Sequence, residues 1–280
     1  MKGSSKASRS WLGMIGVAAA CTAVCVSPAL ALVQPAAPAV EATSTLPDGK
    51  EIHARYIKAI GGEEAIKGVT SKRNKGVFEI PAQGLKGTIE SFQAHGAMYS
   101  AMEMMGMKFE SGLSGETAWQ RNPMTGPTLM EGAERDQLLK ECDLQSEVSL
   151  DKYYSAVNTI GKAEVEGVEC YKVEFTPLNG PKQVRFYEAG SGLLVKMEGE
   201  QESQGNVYNV STMLLDYREI AGIKVPFKMT SSMVGMSSSM TYESIELNTD
   251  IPREKFEIPD DVRKLVEKKK TEGAGESGEK

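Results

Sequence analysis

Residues 167–175 read GVECYKVEF. Tyr171, Val173 and Phe175 alternate with Lys172 and Glu174, so an extended chain places the three apolar side chains on one face. The pattern continues downstream. Residues 184–188, 193–200, 207–217, 223–232 and 237–247 are further strand-like runs. Turn residues divide them: Asn179-Gly180, Gly190 with Gly192, Gly205-Asn206, Gly222 and Gly235. Strands joined by such short turns predict an antiparallel meander.

The same reading extends upstream. Residues 76–80 and 86–92 are strand-like and separated by Pro81-Ala82-Gln83-Gly84. The stretch GAMYSAMEMMGMKFESGL, 96–113, splits at Gly106 into two strand-like halves. Residues 115–119 form another, closed by NPMTGP at 122–127. Two segments have helical spacing instead. From Asp48, a capping residue, Ile52, Tyr56, Ile57 and Ile60 recur at three and four, and Gly61-Gly62 ends the run before a short turn at 63–67. Residues 132–142, GAERDQLLKEC, carry Leu138 and Leu139 on one side. Residues 143–157 show no clear pattern. The expected class is α+β, with about ten strands in one antiparallel sheet and a few helices on one face. A twisted sheet of that size curls, and curling around helices leaves a concave apolar face suited to a ligand.

The ends of the 280-residue chain read differently. Residues 1–10 carry Lys2, Lys6 and Arg9, residues 11–26 are uncharged and largely apolar, and Ala29-Leu30-Ala31 offers a small-residue cleavage site. That order predicts a secretory signal peptide over 1–31, and the apolar run is short for a membrane span. An uncleaved anchor and lipidation at Cys21 are the alternatives. Residues 32–47 are an Ala/Pro-rich linker, the domain covers 48–260, and 261–280 are a charged, Gly-containing tail expected to be solvated and disordered. Cleavage would remove three basic residues and no acid, taking the net charge from −6 to −9. Such a charge argues against nucleic acid as the main partner. It would also leave Cys142 and Cys170, which an oxidising compartment would allow to pair; two buried free thiols are the other reading.

The catalytic inventory is thin. GxSxG, phosphate-loop, HExxH and paired CxxC signatures are missing from the sequence, and no cofactor or enzymatic activity is expected. His53 lies on the first helix, where a partly exposed polar role is expected, and His95 lies in a turn with Gly96. Met102, Met104, Met105 and Met107 with His95 could supply soft ligands to Cu(I). On one strand, however, Met102 and Met104 would face away from Met105 and Met107. A second methionine set, Met213, Met229, Met233, Met236 and Met240, sits in the late strands. Core filling and a deformable apolar wall both account for this usage.

Several segments in order resemble the LolA-like superfamily, the periplasmic lipoprotein-sorting carriers and their relatives. They are RYIKAIGGEEAIKGV (55–69), KGVFEIPAQGLKGTIESF (75–92), SGETAWQRNPMTGP (114–127), GKAEVEGVECYKVEFTP (161–177), VRFYEAGSGLLVKMEGE (184–200) and the run 214–259 with Gly222-Ile223 and Pro226. The resemblance implies an open half-barrel sheet wrapped around helices, with a cavity for acyl chains. It implies a non-enzymatic, monomeric envelope or periplasmic protein that binds a lipid or the acyl chains of a lipoprotein. A protein partner in the envelope is a further expectation, and a sensor or accessory domain binding such a partner is the alternative role. Strand parity within that cavity gives the expected lining: Phe78, Ile80, Met98, Met102, Met104, Trp119, Met213, Phe227, Met229 and Met240. For Trp119 a buried packing role is the competing expectation. No specific arginine latch is assigned.

Overall fold

A computed structural model describes residues 46–203 and 206–276. The expected leader with Cys21, the linker up to residue 45 and the last four residues of the expected tail lie outside the described residues.

The chain enters through α1 (Gly49–Ala59). The Asp48 carboxylate accepts from the backbone N–H groups of Lys50 and Glu51, satisfying two donors that the first turn leaves free. Ile52, His53, Tyr56 and Ile57 form its buried stripe. A short second helix, α2 (Glu63–Lys67), follows and adds Ile66 to the same core.

Six strands then run outward as a meander: β1 (Ser71–Ile80), β2 (Leu85–Ala94), β3 (Ala97–Met104), β4 (Met107–Ser114), β5 (Thr117–Asn122) and β6 (Gly126–Leu129). After a crossing segment containing α3 (Gly132–Cys142) and α4 (Leu150–Tyr153), a second meander begins. It comprises β7 (Tyr154–Val165), β8 (Val168–Pro177), β9 (Gln183–Glu188), β10 (Leu194–Ser203), β11 (Asn206–Ile220), β12 (Ile223–Met233) and β13 (Met236–Leu247). Among the described residues these thirteen strands form one sheet, ordered β6-β5-β4-β3-β2-β1-β13-β12-β11-β10-β9-β8-β7. The first and last strands, β1 and β13, therefore pair at its middle, and every neighbouring pair is antiparallel. The α+β antiparallel architecture is as expected, but the strand number exceeds ten. The strands beyond those read from sequence are β6 and β7, the two edges.

Turn chemistry explains the meanders. Five hairpins close through a non-glycine residue and a glycine that both have positive φ: His95-Gly96, Met105-Gly106, Glu166-Gly167, Ala221-Gly222 and Val234-Gly235. Two successive positive φ values give a turn whose twist matches that of the flanking strands.

The crossing segment requires curvature. A flat sheet of thirteen strands would separate its edges by about 58 Å. Residues 130–153 hold α3, a 3₁₀ turn at Ser146–Val148 and α4. Their rises, with the intervening extended residues, total only about 50 Å. The sheet must curl for β6 to connect to β7, which gives an open, curved sheet with the crossing segment on one face. That face, termed inner here, packs Leu138 and Cys142 of α3 on Leu113 and Ala118. At the other half it packs α1 on Val173, Phe175, Tyr187 and Leu214.

The outer face has its own cover. Phe92, Ala94 and Ala97 pack against Ile251 and Phe256. Glu110 accepts from the Tyr99 hydroxyl at 2.6 Å and from Arg121 at 2.8 Å, and Arg121 also meets Asp261 at 3.0 Å. Asp261 belongs to α5 (Asp260–Glu276), formed by residues expected as a solvated tail. Asp260 and Asp261 favour its positive N-terminal end, and Val262 is fully buried.

Cys142 and Cys170 are both buried free thiols. The pairing weighed from sequence is not formed, because Cys142 lies in the α3 core on the inner face. Cys170 packs with Val165 and Phe186 in a separate cluster, which cross-strand register places on the outer face. Burial raises both thiols, Cys142 to about 11, so neither is a reactive thiolate near neutral pH.

Candidate functional site

Residues paired directly across antiparallel strands project to the same face. One continuous row crosses seven strands of the inner face: Met107, Met104, Gly87, Phe78, Met240, Met229 and Leu214. Only Leu214 at its end is fully in the α1 core. The other side chains of the row are half-buried. Gly87 leaves a trough between Phe78 and Met104, and a Cβ there would lie 2.4 Å from the Glu103 carbonyl oxygen. Neighbouring rows add Ile89, Met102 and Phe109, paired in that order.

Eight of the ten residues expected to line a cavity therefore share β-strand parity on this face: Phe78, Ile80, Met98, Met102, Met104, Phe227, Met229 and Met240. Met98 stands apart because α3 covers it. Three others are not on the open wall. Trp119 pairs with Gly112, opposite Tyr99, and is buried on the outer side of the sheet. Met213 alternates with Leu214 and packs in the Cys170 cluster on the outer face. Phe227 is buried, with the Arg218 guanidinium 4.3 Å from its ring centroid. Met107 was expected to oppose Met102 and Met104. The Met105-Gly106 turn folds the chain back, so Met107 joins their face while Met105 is left exposed at the tip.

A buried polar network fastens the crossing segment to this half of the molecule. Arg185 on β9 is 3% exposed. It donates to the Glu147 carboxylate at 2.7 Å and to the Tyr154 hydroxyl at 2.9 Å, and its guanidinium stacks 4.2 Å from the Phe175 centroid. Burial alone would push the Glu147 carboxyl up, but the Arg185 guanidinium outweighs it and holds it below the usual carboxylate range. A groove of about 460 Å³ lies where this segment meets α1, lined by His53, Ile57, Glu147, Val148 and Leu150 with charged residues at its rim. It includes none of the methionine row.

His53 was expected to be partly exposed and is 3% exposed, because α1 turns that side into the core. Its Nε2 lies 2.8 Å from the Glu147 carbonyl oxygen, which can only accept, so Nε2 carries the proton. Nδ1 then accepts from the Tyr187 hydroxyl at 3.0 Å. The Nδ1 bond requires neutral imidazole, and burial lowers its pKa below the ordinary 6.5. The unfolded chain therefore takes up this proton first as the pH falls. His53's contribution to stability is complete above about pH 6.5 and erodes below it. Melting temperatures at pH 7.5 and 5.5 are expected to fall further for the wild type than for His53→Gln; equal decrements would contradict this role.

No family model and no curated protein matches the chain. Solved structures do. A DUF1329 family protein from Desulfovibrio piger superposes with a TM-score of 0.52 at 13% identity, covering 75% of this chain and 97% of that one. A LolA superfamily protein from Nitrosomonas europaea gives a TM-score of 0.50 at 13% identity, over 76% of this chain and 99% of that one. The chain has a LolA-like fold.

Proposed function

We propose that this LolA-like chain is a non-enzymatic binding or carrier protein for a lipid or an acylated protein, with the acyl chain lying on the methionine row. The observation that carries the reading is that row. Methionine, phenylalanine and leucine side chains line six of seven consecutive strands on the face the helices leave partly open. Monomeric soluble proteins seldom expose contiguous apolar surface of this kind without a ligand or partner for it. Unbranched, polarizable methionine side chains adapt to aliphatic chains of differing shape, and each methylene removed from water contributes about 0.8 kcal/mol.

The leader read from the sequence supports a location in the cell envelope, and no described helix is long and apolar enough to cross a membrane. Release of cargo would require the helices or the crossing segment to shift. Envelope proteins that deliver or accept the ligand are the partners this role implies.

Intact-protein mass spectrometry under native conditions, on protein purified from the envelope of the cells that make it, tests the reading. Co-purifying acyl lipid at up to one per chain is expected. Stoichiometric copper in its place would instead favour a thioether site, which the shared face of Met102, Met104 and Met107 would then have to supply.

A further inference from the structure

The inner face is not apolar throughout. Between the row that α3 covers and the methionine row runs a polar one: Ser111, Ser100, Ser91 and Asn74, paired in that order from β4 to β1. Asn74 is 6% exposed, and its Nδ2 donates to Ser91 Oγ at 3.2 Å. Its Oδ1 is buried with no partner. A buried amide oxygen left unpaired is destabilising, so a donor is expected to reach it.

Lys72 stands two residues before Asn74 on the same strand and therefore on the same face. Its cross-strand neighbours are Gln93 and Leu247. Gln93 donates to the Glu141 carbonyl at the end of α3, and Leu247 packs against the α1 core. The lysine thus sits in the margin between the two helix-covered regions, with part of its side chain still reaching solvent. Its ammonium has no ion pair or side-chain hydrogen bond among the described residues. Burial lowers its pKa, and no carboxylate is near enough to oppose that. Of the eight other lysines on the sheet, four have a carboxylate, Lys86 with Glu79, Lys108 with Glu110, Lys162 with Glu169 and Lys196 with Glu198, and Lys75, Lys224 and Lys228 are exposed to water. A crowded ammonium without a counter-charge is a standing cost that an anionic ligand would remove.

We propose that Lys72 and Asn74 bind the anionic head group of an acyl lipid whose chain lies on the methionine row. Lys72 supplies the counter-charge to a carboxylate or phosphate oxygen. Asn74 Oδ1 accepts from a hydroxyl of the head group or from a water that it holds. The methionine row begins four to six residues further along β1, about 14–20 Å from Lys72, so head and chain occupy successive stretches of one strand. The assignment rests on the carrier reading above and narrows its ligand to acidic lipids.

The test uses the delipidated protein at pH 7.5 and 0.15 M salt, titrated with oleate, 1-oleoyl-lysophosphatidate, uncharged mono-oleoylglycerol and inorganic phosphate. The wild type is expected to bind at least one of the two acidic lipids about tenfold or more tighter than mono-oleoylglycerol. The tighter of the two names the head group as carboxylate or phosphate. Lys72→Met is expected to abolish that preference and leave mono-oleoylglycerol affinity unchanged, whereas Lys72→Arg retains it. Lys72→Met breaks no pairing and removes a desolvated charge, so its melting temperature is expected to equal or exceed that of the wild type. Equal affinity of the wild type for charged and uncharged lipids overturns the proposal and leaves the carrier reading standing, as does a preference that survives in Lys72→Met. Lys72-dependent binding of inorganic phosphate as tight as that of the lipids overturns the head-group assignment in favour of a free-anion site. Failure of every acyl probe to bind overturns the carrier reading itself, and this proposal with it.

Discussion

Replacing Glu147 by alanine is expected to lower the unfolding free energy by about 3–5 kcal/mol, measured by urea denaturation. The reason lies in what is left behind. Arg185 is 3% exposed and cannot shed its proton, so without Glu147 it stays charged in the core. The Tyr154 hydroxyl and Gln183 would still accept from it, but neither carries a compensating charge. Glu147 retains a third of its surface in solvent, so the loss is set by the stranded arginine. The double variant Glu147→Ala/Arg185→Met removes both charges and is expected to recover a substantial part of the loss. A thermodynamic cycle of this kind isolates the coupling between the two positions. Independent, additive costs, or a Glu147→Ala loss below about 1 kcal/mol, would show that this pair does not fasten the crossing segment.

The double variant Met104→Asp/Met229→Asp is expected to weaken binding of a long-chain acyl ligand at least about a hundredfold. Both residues stand in the same cross-strand row, on either side of Phe78 and Met240. A carboxylate at each keeps water on the surface that the chain would cover. Excluding about four methylenes from burial forfeits roughly 3 kcal/mol, which is somewhat more than a hundredfold in affinity. Both side chains are half-buried and belong to neither helix-covered core, so the fold is expected to survive the change. The loss therefore reports on the row as a binding surface and not on the integrity of the sheet.

The parts of this fold that could be read from sequence are those where the signal is local. α1 showed itself by its three-and-four spacing and the Asp48 cap, and β8 by the alternation of Tyr171, Val173 and Phe175. The strands that escaped notice, β6 and β7, are the two edges. An edge strand pairs on one side only and tolerates residues that weaken a strand pattern. β6 has four residues including Pro127, and β7 contains Gly161 at φ 151° with exposed residues at alternate positions. The tail forms α5 with Val262 fully buried, which a reading of charge density alone does not reveal.

For the site, strand parity placed Met102, Met104, Met229 and Met240 together. It could not tell which face was inner, so Trp119 and Met213 were grouped with residues from which the sheet separates them. The Met105-Gly106 turn reversed the side assigned to Met107. The Arg185, Glu147, Tyr154 and His53 network had no legible signal, since these bonds join residues 31 to 134 positions apart. The isolation of Lys72 was equally hidden. A lysine without a counter-charge is visible only when every neighbour has been placed.

Whether the methionine row holds an acyl chain is decided by titrating the delipidated protein with a fluorescent long-chain fatty acid. Saturable binding at one site per chain is expected, lost in Met104→Asp/Met229→Asp while the variant keeps the wild-type melting temperature within a few degrees. Saturable binding of undiminished affinity in that variant, or none in the wild type, would contradict an acyl site on that row.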